Sequence, residues 1–312
     1  MDAAPFHTDL ADGPDGGRAY WLRTDDGVQL RASVWDGGEK GTVLIYPGRC
    51  EYIEKYGRTA RVVVERGYTC TAIDWRGQGL SDRLLKDPSI GHVSKFTDYQ
   101  KDVAAYLAMA RQMGLPEPYY LLAHSMGGCI GLRHLIDGSP FPAASFSAPM
   151  WGITIATSLR KIAHVLPLVA TRIGLGGRRT PTTGPASYQL EAPFENNMLT
   201  TDPEMWAYMN RQVREEERFR LGGPSLTWLA ESLFETRSLA ALPRPDVPAH
   251  ASVGDREKIV DTDAIVDIMG DWPGGTLTRI EGAEHELLLE TPEVRSAFLE
   301  RTFATFEAAS AS

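Results

Sequence analysis

Short apolar runs that stop at Gly or Pro alternate with helical periods of ten or more residues along most of this chain. That alternation limits the fold more than any other feature. GTVLIYPG (Gly41 to Gly48) reads as a compact strand, the stretch from Tyr52 to Arg66 as a helix, and YTCTAID (Tyr68 to Asp74) as the next strand, a βαβ unit. The pattern continues with a helix from Phe96 to Met113, a strand at Tyr119 to Ala123, a helix from Met126 to about Ile136 and a strand near Ala143 to Phe146. It resumes with a strand at Ala249 to Gly254, a helix from Thr262 to Asp271, a strand at Gly275 to Gly282 and a helix from Pro292 to Phe306. Strands separated by such helices require a mostly parallel sheet covered on both faces, so the expected class is α/β. Ahead of them, Tyr20 to Arg23 and Val28 to Trp35 flank an Asp-Gly pair and predict a hairpin.

The alternation is interrupted over residues 150–237, where helical periods at Glu204 to Arg218 and Ser225 to Phe234 occur without a convincing strand. A connection that long does not stay structureless inside a compact domain. It predicts a helical cap inserted between two parts of one core, residues 20–149 and 238–308, which 312 residues can supply. Residues 1–19, acidic and rich in Gly and Pro, predict a flexible arm without the apolar stretch of a secretory leader. No run of about 18 apolar residues is present to span a bilayer, so a cytoplasmic location is expected. A formal charge of −9 argues against nucleic acid as a partner. Cys50, Cys70 and Cys129 are too scattered for a disulfide framework or a thiolate metal site.

One strand-to-helix junction carries chemistry. In LLAHSMGGCIG, Ser125 stands between an apolar strand and a new helical period, with small residues around it. Such a turn lifts a serine hydroxyl above the sheet edge and places the next amide near a helix amino terminus. A base is available in His285, on the loop after a late strand, and an acid in either Asp255 or Glu257, after the strand Ala249 to Val253. The order Ser, acid, His is the one α/β-hydrolases use. All three groups fall beyond the carboxyl ends of strands, where open α/β sheets bind ligands. The loop after the first parallel strand, YPGRCEYIEKY, supplies the Arg49 amide, which with that of Met126 forms a candidate oxyanion hole. His124, beside the serine on so tight a turn, is expected to pack or donate locally, and Asp74 and Arg76 to brace the loop DWRGQGLSDR.

PGRCEYIEKY, DWRGQGLSDRL, GHVSKFTDY, AHSMGG, SAPMWGI, GGPSLTW, EKIVD and GAEHE follow one another along the chain. In that order they resemble the bacterial lysophospholipase branch of the α/β-hydrolases, close to the monoacylglycerol lipases. The resemblance runs from about Tyr20 to Phe306. It implies that Glu257, which precedes a basic residue, two aliphatics and Asp, is the acid. Two positions depart from the wider pattern: Ala123 replaces the usual first glycine of G-x-S-x-G, and Pro47 stands where many relatives carry His. The resemblance implies a serine hydrolase of a single-chain lipid ester, a lysophospholipid or monoacylglycerol, working through an acyl-enzyme without metal or organic cofactor. A small carboxylic ester or an amino-terminal peptide bond would suit the same three groups, and a non-catalytic binding protein could share the fold. Trp151, Phe194, Trp206 and Trp228 are candidate walls of an acyl pocket. The cap opens with aliphatic positions mixed with Arg160, Lys161, His164, Arg172, Arg178 and Arg179, a composition suited to peripheral contact with an anionic membrane.

Overall fold

The computed structural model describes residues 1–155, 160–181 and 183–310, the side chains of 160–164 excepted. Among the described residues eight strands form one sheet: β1 (Arg18–Arg23), β2 (Gln29–Trp35), β3 (Thr42–Tyr46), β4 (Thr69–Asp74), β5 (Tyr119–His124), β6 (Ala144–Ser147), β7 (Ala249–Gly254) and β8 (Gly275–Ile280). Their spatial order is β1-β2-β4-β3-β5-β6-β7-β8. β1, β2 and β4 pair antiparallel, and every pairing from β4 through β3 to β8 is parallel. Among the described residues ten α-helices accompany them: α1 (Thr8–Ala11), α2 (Gly57–Glu65), α3 (Tyr99–Gln112), α4 (Met126–Asp137), α5 (Arg160–Arg172), α6 (Tyr188–Glu191), α7 (Pro203–Glu215), α8 (Leu226–Ala241), α9 (Thr262–Gly270) and α10 (Pro292–Ser310).

β3, β4, β5 and β7 are buried along their whole length, as strands covered on both faces must be. On one face Ala60 and Val63 of α2 pack with Phe298, Leu299, Phe303 and Phe306 of α10. On the other, Val103 and Tyr106 of α3, Ile130 and Leu132 of α4, and Ile265 and Ile268 of α9 close the second core. Between β6 and β7 the described chain is helical. There Asp202 caps α7 by accepting from the Glu204 and Met205 amides with Pro203 in the first turn, and Ser225 caps α8 through the Trp228 amide at 3.0 Å.

The amino-terminal stretch is not the free arm that its composition suggests. The Ala4 amide donates to Ala19 O at 2.8 Å, Phe6 meets Trp35 edge to face, Pro5 O accepts from Arg31, and Leu10 and Ala11 are buried. A few apolar anchors outweigh the Gly, Pro and Asp around them. α5, in the span from 150 to 203, carries no signal strong enough to be predicted, because Pro167 lies inside it.

Two histidines on this scaffold make its stability depend on pH. His134 of α4 faces Tyr46, its Nδ1 3.1 Å from the hydroxyl, and His250 of β7 lies between Ser252 and Ser145. Burial pushes both imidazoles down to about 4, against a usual value near 6.5. A group with a depressed folded value keeps its neutral form in the fold, so below pH 6.5 the unfolded chain takes up protons that the folded chain refuses. Melting temperature is therefore expected to hold above pH 6.5 and to fall progressively from pH 6.5 to pH 4. Calorimetry of the His134→Gln, His250→Asn double variant should give a flatter profile across that window.

Candidate active site

Ser125 follows the last residue of β5 and precedes the first of α4, with φ 49° and ψ −117°, a conformation that L-residues rarely adopt. Two glycines let the turn close. A Cβ at Gly127 would lie 1.9 Å from Tyr46 O at the end of β3, and one at Gly128 would lie 2.5 Å from Pro149 Cβ. The Ser125 amide donates to Ser147 O at 3.0 Å, and its carbonyl accepts from the Gly128 and Met150 amides, both at 2.8 Å. Ala123 is fully buried, and its methyl lies opposite Gly131, where even an added Cβ would stand 3.6 Å away. A first glycine is thus not required on this turn, because the Ala123 methyl meets no closer neighbour there.

His285 lies on the loop after β8, fixed there by its amide to Met198 O and by the Glu286 amide to Leu199 O at 2.8 Å. Its Nδ1 is 2.7 Å from Glu257 Oε2. The other carboxylate oxygen of Glu257 accepts from the Ile259 and Val260 amides at 2.6 and 3.1 Å. Burial works to raise the Glu257 carboxyl, but the His285 charge and hydrogen bond, with those two amides, outweigh it and hold the group below its ordinary value. Asp255 instead accepts from the Gly282 amide at 2.8 Å on the surface, where it ties β7 to the turn after β8.

Ser125 and His285 line one cavity of about 440 Å³, with Met150, Ile153, Leu199, Leu229 and Ile259 among its apolar walls. Arg49 lines it as well. Among the described residues, neither the Arg49 nor the Met126 amide is bonded within the protein. The loop that carries Arg49 is held from two sides. Gln78 Nε2 donates to Gly48 O at 2.8 Å, and a Glu51 carboxylate oxygen accepts from the Gly48 amide. The loop after β4 is braced as its polar residues suggest: Asp74 accepts from Arg31, Ile53 and Leu80, and Arg76 pairs with Asp102 and Asp26.

No local pattern along the chain points to the buried charge cluster beneath this loop. Lys55 Nζ lies 2.5 Å from Glu51 Oε1 and 2.6 Å from Glu286 Oε1, and His124 Nε2 lies 3.3 Å from Glu286 Oε2. His124 Nδ1 is 3.0 Å from Ser147 O, a carbonyl that only accepts. Ser147 Oγ lies 3.1 Å from the same nitrogen; burial lowers the His124 ring, but Glu286 and Glu51 outweigh it and hold the imidazole above its ordinary value. Burial opposes the other charges too. For Lys55 the nearby Glu286 and Glu51 overcome it and raise the ammonium, and for Glu286 the Lys55 ammonium and His124 overcome it and hold the carboxyl far below its usual range. Donor atoms of Glu51, His124 and Glu286 lie within 4.8 Å of one another, a spacing that suits a metal ion, but the Lys55 ammonium already supplies the positive charge there.

Of the four aromatic residues expected to wall an acyl pocket, only Trp228 lines the cavity. Trp151 turns into the core, stacked on Trp272 and donating to Gly128 O at 3.0 Å. Trp206 and Phe194 pack against each other behind Tyr188, in a separate apolar cluster with Leu199 and Met209. An aromatic side chain serves a packed core as readily as a pocket wall: Trp151 and Trp206 are buried, and Phe194 packs half-buried against Trp206. Tyr188, Met198 and Val260 line the cavity in their place. Cys129 is buried, and burial pushes its thiol well above the ordinary value.

A mostly parallel eight-stranded sheet, with a serine on the strained turn between its fifth strand and the following helix, defines an α/β-hydrolase. Residues 37–292 match the family described as Serine aminopeptidase, S33, and the chain belongs to that hydrolase family. It is 32% identical to lysophospholipase L2 of Escherichia coli, across 87% of this chain and 81% of that one. It is 29% identical to a probable lysophospholipase L2 of Haemophilus influenzae, across 81% and 79%. In fold it is similar to a soluble variant of monoglyceride lipase from Saccharomyces cerevisiae in complex with a substrate analog, with a TM-score of 0.75 at 18% identity over 98% of this chain and 99% of that one.

Proposed function

We propose that the protein hydrolyses a carboxylic ester of a single-chain lipid, a lysophospholipid or monoacylglycerol, with Ser125 as nucleophile, His285 as base and Glu257 as the acid. The observation that carries this reading is the shared cavity: Ser125, His285 and Arg49 line it among largely apolar walls, and among the described residues the Arg49 and Met126 amides are unbonded. Glu257 engages Nδ1 of His285, which leaves Nε2 to take the Ser125 proton as Oγ attacks the ester carbonyl. The Arg49 and Met126 amides hold the oxyanion, the alcohol leaves with the proton from His285, and water then releases the acyl group by the same route in reverse. The ionised Glu257 steadies the imidazolium throughout.

An aminopeptidase would need a free carboxylate in the cavity to hold the substrate's terminal ammonium. Among the described residues, Glu51 and Glu286 are the carboxylates that line it, and both are already engaged by the Lys55 ammonium, with His124 beside Glu286. That favours an ester of an apolar chain over a peptide. Rates on a lysophospholipid, a monoacylglycerol, a short p-nitrophenyl ester and an aminoacyl amide test the assignment. The two lipid esters are expected to lead by kcat/KM, and a leading aminoacyl amide would overturn it.

The helical segment between β6 and β7 is proposed as a cap that also meets the membrane. No helix among the described residues is long and apolar enough to cross a bilayer. α5 nevertheless exposes Val165, Leu166, Leu168 and Val169, Ile173 just after it is 65% exposed, and Arg172 and Arg178 are exposed as well. The side chains of Arg160, Lys161 and His164 lie outside the described residues, and Arg179 turns inward to Ser89 and Asp87. The Leu168→Glu, Ile173→Glu double variant is expected to lose about tenfold or more in binding to anionic vesicles in a flotation assay. Its rate on a monomeric short ester should be unchanged.

A further inference from the structure

Arg49 brings to the cavity a side chain as well as an amide. Around it the other charged groups are paired: Lys55 with Glu51 and Glu286, His124 with Glu286, and Glu257 with His285. The Arg49 guanidinium is left over. Among the described residues no carboxylate lies within ion-pair distance of it. Its Nη1 is 3.1 Å from Cys50 Sγ, its Nη2 donates to Gly222 O, it lies 5.4 Å over the Trp228 ring, and its Nε is buried without a hydrogen-bond partner. A guanidinium offers five N–H donors, and the protein here engages few of them, all with neutral partners. A partly buried cation without a counter-ion is costly, and an anion arriving beside it relieves that cost.

We propose that the Arg49 side chain binds the phosphate of the substrate headgroup, so that the enzyme prefers lysophospholipids to neutral monoacylglycerols. This inference rests on the ester reading above and assigns its headgroup. The amide and the guanidinium of one residue then divide the substrate: the amide serves the scissile carbonyl, and the guanidinium the phosphate a few bonds away. A substitution at Arg49 keeps the amide and removes the guanidinium, together with its contacts to Gly222 O, Cys50 Sγ and the Trp228 ring.

The test compares kcat/KM for a decanoyl lysophosphatidic acid and decanoylglycerol, both monomeric, in the native protein and in Arg49→Met and Arg49→Lys. The native ratio is expected to favour the phosphate ester. It should fall by about 10- to 100-fold in Arg49→Met, mainly through KM, and recover in part in Arg49→Lys. Glycerol 3-phosphate should inhibit decanoylglycerol hydrolysis competitively in the native protein and much less in Arg49→Met. An unchanged ratio, or an equal loss on both substrates, would overturn the inference, since it would mean that the side chain only tethers the loop to Gly222. If neither ester is turned over by the native protein, the ester reading itself fails along with it.

Discussion

Ser125→Ala should abolish hydrolysis while leaving the fold as stable as before. The side chain is a small buried hydroxyl at a position set by backbone contacts, so removing its oxygen changes packing little. Loss of a nucleophile in a three-group site costs on the order of 10⁴-fold or more in kcat. A fluorophosphonate probe should label the native protein and leave the variant unlabelled. If Ser125→Ala retains a tenth of the native rate, or still takes the label, the proposed chemistry is wrong. Glu257→Gln should lose a comparable factor, because a neutral amide cannot stabilise the imidazolium or hold the correct tautomer. Asp255→Asn, whose site is a surface hydrogen bond to Gly282, should stay within a few-fold of native. The reverse result would move the acid two residues along the loop.

Lys55→Met is expected to have the largest effect on stability. It removes the cation between Glu51 and Glu286 and leaves two buried carboxylates facing each other with only His124 beside them. Breaking a buried ion pair in this way costs about 3–5 kcal/mol, a fall in melting temperature of roughly 10 °C for a chain of this size. Activity should fall too, by about 10- to 100-fold, because Glu51 also accepts from the Gly48 amide and the Tyr56 hydroxyl and so sets where the Arg49 amide sits. Substituting all three as Glu51→Gln, Lys55→Met, Glu286→Gln should recover much of the melting temperature but not the rate. Recovery of both would show that the cluster has no part in shaping the site.

The parts of this molecule that were legible in sequence are those set by local pattern. The alternating runs placed every strand of the sheet to within about two residues, and the small residues around Ser125 marked the turn because Gly127 and Gly128 must pass close to β3 and Pro149. Order along the chain and the place of the loops beyond parallel strands left Asp255 and Glu257 both open as the partner of His285; the resemblance pointed to Glu257, and it is Glu257 that lies beside His285. The Glu51, Lys55, His124 and Glu286 cluster was not legible, since its longest link joins residues 231 apart and only the folded sheet brings them together. Glu51 and Lys55 do stand four apart, but that spacing is common on any solvated helix. Aromatic residues failed as pocket markers for a related reason: Trp151 and Trp228 read alike in sequence, and their surroundings differ only in three dimensions.

The packed amino terminus has a consequence for how this chain behaves in company. β1 is the outermost strand on its side of the sheet, and an outermost strand offers unpaired amides and carbonyls to any neighbouring chain. Residues 2–4 occupy part of that row, through the Ala3 bridge to Tyr20 and the hydrogen bonds between Ala4 and Ala19 and between Trp21 and Asp2. The segment that looks dispensable in sequence is thus a guard against edge-to-edge aggregation. A version of the protein trimmed at this end would keep its catalytic groups and lose part of its protection from self-association.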